Sequence, residues 1–140
     1  MANRTSKLLD ISTMKKIDKQ RMYEIYDKWP QIALKSYQTK YEKRSYKNID
    51  HIVFAGMGGS GAIGDLFSAI LSKTKIHVSL VKGYVLPNTV DSNTLVVVIS
   101  ISGNTVETLT VLNSAKNLNC KTIAFSSGGK MELLCKKYNI

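Results

Sequence analysis

Two apolar runs in this chain each break off at a glycine-rich loop, and that arrangement restricts the folds open to it. Ile52-Val53-Phe54-Ala55 leads into Gly56-Met57-Gly58-Gly59-Ser60-Gly61, and Leu95-Val96-Val97-Val98-Ile99 leads into Ser100-Ile101-Ser102-Gly103-Asn104-Thr105. Each run has the length and β-branched content of a buried strand, and helix-period apolar spacing follows each loop. A strand that gives way to a helix through glycines presents unpaired backbone N–H groups at the positive end of the helix dipole. The pattern points to anion binding, and to phosphate first.

The rest of the chain from residue 49 onward repeats the alternation. Strands are expected over Ile49–Ala55, Ile76–Lys82, Thr94–Ser100 and Lys121–Ser126, with helices over Ala62–Leu71, Thr105–Leu118 and Met131–Tyr138. The first helix aligns Ile63, Leu66, Phe67, Ile70 and Leu71. The second aligns Thr108, Val111, Leu112, Ala115 and Leu118, and the third aligns Met131, Leu134, Cys135 and Tyr138. The third strand is almost wholly apolar, which predicts cover on both faces. The succession predicts an α/β fold, a three-layer doubly wound parallel sheet of flavodoxin-like order 2-1-3-4. Tyr138-Asn139-Ile140 stands where a fifth strand is expected to start, so the sheet is expected to lack that strand and the chain to be part of a longer polypeptide.

Residues 1–47 read as an N-terminal helical extension to a domain over 48–140. Met14, Ile17, Met22, Ile25, Tyr26 and Trp29 recur at helical spacing, with Ser12 or Thr13 as cap. Pro30 can open a second helix carrying Leu34, Tyr37 and Tyr41. Aromatic residues at such spacing usually bury themselves, here against the main domain or a second subunit.

Charge and composition narrow the partners. The net charge is +10, and residues 1–50 carry twelve Lys/Arg against six Asp/Glu. The excess is spread along the chain. It suits an anionic ligand, but no nucleic-acid motif accompanies it, so no nucleic-acid partner is expected. No apolar stretch approaches the roughly 20 residues of a membrane helix. The segment Met1–Asp10 lacks an apolar leader core, so the cytoplasm is the expected compartment and no membrane contact is expected. Cys120 and Cys135 form no disulfide framework and no metal site, and Cys135 reads as a core residue.

Chemistry separates the two loops. Gly56 to Gly61 formally fits the dinucleotide fingerprint G-x-G-x-x-G, but that reading expects a carboxylate at the end of the second strand. The strand ends Val81-Lys82-Gly83, and only an NADP phosphate would suit Lys82. No Gly-Lys-Ser/Thr closes either loop, which removes the P-loop reading. The second loop places the hydroxyls of Ser100, Ser102 and Thr105 around Gly103, and hydroxyls with nearby N–H groups can surround a phosphate without metal. In the order 2-1-3-4, strands 1 and 3 are neighbours at the switch point, so Ser60 faces these three residues across one crevice. Asn104 and Glu107 have capping-box spacing, although Glu107 could instead serve as a base. His51 and His77 fall at the far end of the sheet and read as structural. Ser126-Ser127-Gly128-Gly129-Lys130 ends strand 4 on the loop side, as a turn or as a border of the ligand.

The stretches GMGGSGAIGD, GYVLP, SISGNTVETL and SSGGK, in that order over residues 49–130, resemble the sugar isomerase (SIS) domain family, and within it the N-terminal half of phosphoglucose/phosphomannose isomerases. The resemblance implies a sugar-phosphate site at Gly59, Ser60, Ser100, Ser102 and Thr105, with no cofactor. Ile101 stands where an aromatic residue is common and Val106 where an acid is common; neither change touches the hydroxyls. The resemblance also implies an aldose–ketose isomerase acting on glucose 6-phosphate or mannose 6-phosphate. Such enzymes carry two of these domains per chain and form homodimers. Their acids and bases lie mainly beyond residue 140, so the present residues are expected to bind without turnover. A regulatory module that senses a phosphosugar is the alternative, and an NADP-binding domain a weaker one.

Overall fold

The computed structural model describes residues 10–41 and 43–140, and the chain divides into two compact units, Met1–Arg44 and Ser45–Ile140. The polar stretch Met1–Asp10 lies outside the described residues except for Asp10. In the first unit, helices α1 (Ile11–Ile17), α2 (Met22–Asp27) and α3 (Trp29–Gln38) follow one another. The helical spacing from Met14 to Trp29 is therefore divided between short helices. Arg21 is left-handed at φ 57°, and the Asp18 carboxylate accepts the Tyr23 N–H at 2.9 Å, which ends α1 and starts α2. Asp10, rather than Ser12 or Thr13, takes the N-cap position of α1, and the Ser12 hydroxyl bonds to its carboxylate. Pro30 sits in the first turn of α3, as expected. Tyr26 and Trp29 meet edge to face at 4.7 Å, but Trp29 is 57% exposed and none of the three helices has a buried residue. Within this unit itself the aromatic stripe is not buried.

The second unit contains β1 (His51–Gly56), α4 (Gly59–Leu71), β2 (His77–Val81), β3 (Thr94–Ile99), α5 (Val106–Asn117), β4 (Lys121–Phe125) and α6 (Gly129–Tyr138). All strand pairs are parallel, in the order β2-β1-β3-β4. This is the doubly wound order read from the sequence. Alternation along the strands splits the core. Val53, Ala55, Val96 and Val98 face a layer holding Val111, Leu112 and Ala115 of α5 and Met131 of α6. Phe54, Val97 and Ile99 face the other way, where α4 lies over β1 and β2. β3 is buried on both faces, as its composition demands.

Helix α4 departs from expectation. Its buried residues are Gly61 and Gly64, while Ile63, Leu66, Phe67 and Ile70 are exposed. A Cβ on Gly64 would stand 2.9 Å from Phe54 Cβ and 3.1 Å from Leu80 Cδ2. The glycines let the helix backbone lie almost on the sheet, so its larger side chains turn outward, with Phe67 reaching back to stack on Phe54 at 5.4 Å. In α5, Thr108, Val111, Leu112 and Ala115 are buried as aligned, but Leu118 is the C-cap residue and is exposed. In α6, Met131 is fully buried, with Leu134 and Cys135 packed against the same core. Burial raises the thiol pKa of both Cys135 and Cys120, which keeps them protonated and inert.

At the N-terminal ends of the strands, His51 is buried and its ring lies 4.7 Å from that of its register partner His77. His51 Nε2 shares a hydrogen bond with Ser79 Oγ at 2.9 Å. Burial, and then the neighbouring His77, lowers the His51 pKa below its ordinary value. The unfolded chain therefore takes up this proton first as pH falls. Stability is fully present above the ordinary imidazole range, about 6.5. It declines as pH drops from there through the lowered folded value. Urea unfolding at a series of pH values is expected to show this slope in the native chain and a smaller one in His51→Gln. Equal slopes in the two proteins would dismiss the assignment.

Candidate functional site

The C-terminal ends of β1 and β3 bring the two glycine-rich loops together, because Gly56 and Ile99 are the last register pair between these strands. α4 starts at Gly59 directly after the first loop, and α5 starts at Val106 directly after the second. Two helix N-termini therefore open at one edge of the sheet, at its topological switch point. Neither helix has a side-chain N-cap.

In the first loop, the amides of Ser60, Gly61 and Ala62 already donate to the carbonyls of Met57 and Gly58, at 3.0–3.4 Å. The expectation of wholly unpaired amides is thus only partly met. The Gly59 N–H finds no acceptor among the described residues. Gly59 is exposed and Ser60 half-buried, both in the first turn of α4.

The second loop is tighter. Ser100 is buried, its N–H donates to the Phe125 carbonyl at 2.9 Å, and its Oγ lies 3.0 Å from Thr105 Oγ1. Thr105 occupies the N-cap position of α5, but its hydroxyl turns to Ser100 rather than to its own helix. Ser102 is exposed, and its Oγ accepts the Asn104 N–H at 3.3 Å. Of the five residues assigned from the resemblance, Ser100 and Thr105 are in direct contact, Ser102 is on the same loop, and Gly59 and Ser60 lie on the adjoining one.

Asn104 and Glu107 do not form a capping box. The Asn104 side chain caps a different helix: its Oδ1 accepts the Lys130 N–H of α6 at 3.1 Å, while its Nδ2 donates to the Ser102 carbonyl at 3.0 Å. Glu107 is half-buried beside Tyr84 of the GYVLP stretch, and its carboxylate raises the Tyr84 phenol pKa. Lys82 ends up 2.7 Å from the Asp65 carboxylate of α4, in an exposed ion pair that satisfies the lysine locally. The Ser126–Lys130 stretch turns inward: Ser126 Oγ donates to the Gly128 carbonyl at 2.6 Å, and the Ser127 N–H donates to the Ile101 carbonyl at 3.0 Å. Sequence reasoning missed the Asp65 partner and the Asn104 cross-cap. Only the spacing of the GAIGD and SSGGK stretches from the loops hinted at either.

Comparisons with known proteins bear on the family and the fold. Residues 45–133 match the family described as the SIS domain. A bifunctional phosphoglucose/phosphomannose isomerase of Caldicellulosiruptor bescii is 45% identical over 92 residues, covering 65% of this chain and 27% of the relative. The enzyme of the same description from Thermoplasma volcanium is 40% identical over 96 residues, covering 67% of this chain and 31% of the relative. Among solved structures, a phosphosugar isomerase candidate from Bacillus subtilis superimposes with a TM-score of 0.54 at 30% identity, covering 63% of this chain and 29% of that one. The chain thus spans between a quarter and a third of the length of these relatives. No helix among the described residues is long and apolar enough to cross a membrane.

Proposed function

The chain belongs to the SIS domain family, and on that premise we propose that its paired loops hold the phosphate of a phosphosugar, as the phosphate-binding part of a phosphoglucose/phosphomannose isomerase. The observation that carries this reading is the junction of two helix N-termini without side-chain caps and a cluster of hydroxyls at neighbouring strand ends. Amides at helix starts and hydroxyls that donate suit a phosphate dianion without a metal ion. Gly59 and Ser60 supply one side of the cradle, and Ser100, Ser102 and Thr105 the other.

Ser100 and Thr105 are already hydrogen-bonded to each other, so one of their protons is free to turn toward the ligand. The isomerisation itself needs a base between C1 and C2 and an acid for ring opening. Neither glycine-rich loop carries an Asp, Glu or His, which suits a part of the enzyme that binds rather than one that moves protons. On this reading the complete enzyme is a cytoplasmic homodimer, with its acid and base groups supplied by other parts of the polypeptide or by the second subunit.

Glucose 6-phosphate and fructose 6-phosphate are expected to raise the Tm of this chain. At ligand ten times above Kd the gain is about 1.4 kcal/mol, or a Tm rise of about 6–11 °C for a domain of this size. The Ser100→Ala/Ser102→Ala protein is expected to lose that rise. An undiminished shift in the double variant would refute the site. A phosphosugar-sensing module without turnover is the second reading, favoured by the lack of an Asp, Glu or His in either loop. Conversion of glucose 6-phosphate to fructose 6-phosphate by the 140-residue chain, followed by phosphorus NMR, would exclude it.

A further inference from the structure

The loop after β4 makes no use of its own helix start for an anion. Two of the first amides of α6 are taken: Lys130 N–H donates to Asn104 Oδ1 at 3.1 Å and Met131 N–H donates to the Gly103 carbonyl at 2.9 Å. Two further bonds join the same segments, from Ser100 N–H to the Phe125 carbonyl at 2.9 Å and from Ser127 N–H to the Ile101 carbonyl at 3.0 Å. Every residue from Ser100 to Asn104 is therefore tied, directly or through one neighbour, to the segment 125–131. The fit is close. A Cβ on Gly129 would stand 2.6 Å from the Ser102 carbonyl oxygen and 2.9 Å from Asn104 Nδ2. The start of α6 is thus filled by the second loop, whereas the starts of α4 and α5 lack side-chain caps.

Asn104 is the centre of this joint. One end of its amide accepts from α6, and the other donates to the carbonyl of Ser102. A neutral carboxamide does both at neutral pH; an aspartate accepts but does not donate. Its own backbone N–H meets Ser102 Oγ at 3.3 Å, so Asn104 grips Ser102 at two atoms. The Ser102 side chain is exposed.

We infer that Asn104 is a positioning residue for phosphate binding: it fixes Ser102 against the N-terminus of α6 before any ligand arrives, without touching the ligand. The inference rests on the phosphosugar reading above. A loop ordered in advance spares the ligand the cost of ordering it, and that saving appears directly in affinity. In Asn104→Ala both bonds are lost. In Asn104→Asp the bond to Lys130 N–H remains, the donor to Ser102 disappears, and a negative charge arrives beside the cradle.

The test is a titration of the native chain and both variants with glucose 6-phosphate and with inorganic phosphate, by calorimetry at a temperature well below each Tm. Amide hydrogen exchange at Lys130 and Met131 is measured in parallel. Asn104→Ala is expected to bind about tenfold to a hundredfold more weakly, as for the loss of one or two hydrogen bonds. Asn104→Asp is expected to bind at least as weakly while keeping Lys130 protected from exchange. Because the aspartate charge by itself repels an anion, positioning of Ser102 is read from Asn104→Ala, where protection of Met131 shows that α6 stays seated. Native affinity in both variants would overturn the role of Asn104 and leave the site intact. A native chain that binds neither ligand would remove the phosphosugar reading, and this inference with it.

Discussion

Gly103→Ala is expected to destabilise the second unit by more than about 4 kcal/mol, in the range reserved for gross conflicts within a core or backbone. Gly103 has φ +66°, which already strains any L side chain. The added Cβ would also fall 1.8 Å from the Gly128 carbonyl oxygen and 2.6 Å from Ser126 Oγ. Neither neighbour is free to retreat. Ser126 Oγ donates to that same carbonyl and accepts the Gly128 N–H, and Met131 N–H holds the Gly103 carbonyl. Relief requires the loops after β3 and β4 to part, which strips α6 of its two long-range amide partners. Urea unfolding followed by circular dichroism is the measure. The substituted chain is also expected to lose any Tm response to glucose 6-phosphate. A loss of less than about 1 kcal/mol would mean that the two loops move apart freely, contrary to the hydrogen-bond pattern.

Leu112→Ala is expected to cost about 2–5 kcal/mol, a large share of the total for a domain of this size. Leu112 is fully buried, at the middle of α5, within the core shared with β1, β3 and α6. The neighbours Val96, Val98 and Val111 are β-branched and stiff at χ1, so they collapse poorly into the space vacated. Affinity for phosphosugar, measured below the lowered Tm, is expected to stay at the native level, which distinguishes this variant from Gly103→Ala. Leu118→Ala on the same helix serves as the control. Leu118 is 52% exposed, and its truncation is expected to stay within about 0.5 kcal/mol of native.

Those two leucines also mark how far the sequence could be read. The apolar alignment in α5 identified Thr108, Val111, Leu112 and Ala115 correctly because the helix meets the sheet through ordinary side chains. It overreached at Leu118, where the helix ends. In α4 the same reasoning held for Leu71, which packs on the core, and failed for Ile63, Leu66 and Ile70. Hydrophobic spacing assumes that the large residues fill the space between helix and sheet. Gly61 and Gly64 abolish that space, and the contact is made by backbone instead. The strand order and the placing of both loops at neighbouring strand ends were legible, since both follow from parallel connectivity. Asn104 was legible as a cap but not as to which helix. Its partner amide lies 26 residues further on, and no local rule connects Asn104 with Lys130. In the N-terminal unit, the periodicity from Met14 to Trp29 was real. Periodicity alone gives no sign of the left-handed Arg21 and the Asp18 bond that divide it.

The parallel order has a consequence for the way the second unit acquires its shape. β1 meets β2 after one crossover, but it meets β3 only by closing a loop from His51 to Thr94. Contacts so distant along the chain form late and slowly, because the entropy of closure must be met before any pairing rewards it. The two glycine-rich loops sit on either side of that last seam. A ligand that spans them would tie together the two strands whose pairing closes the longest loop of the sheet.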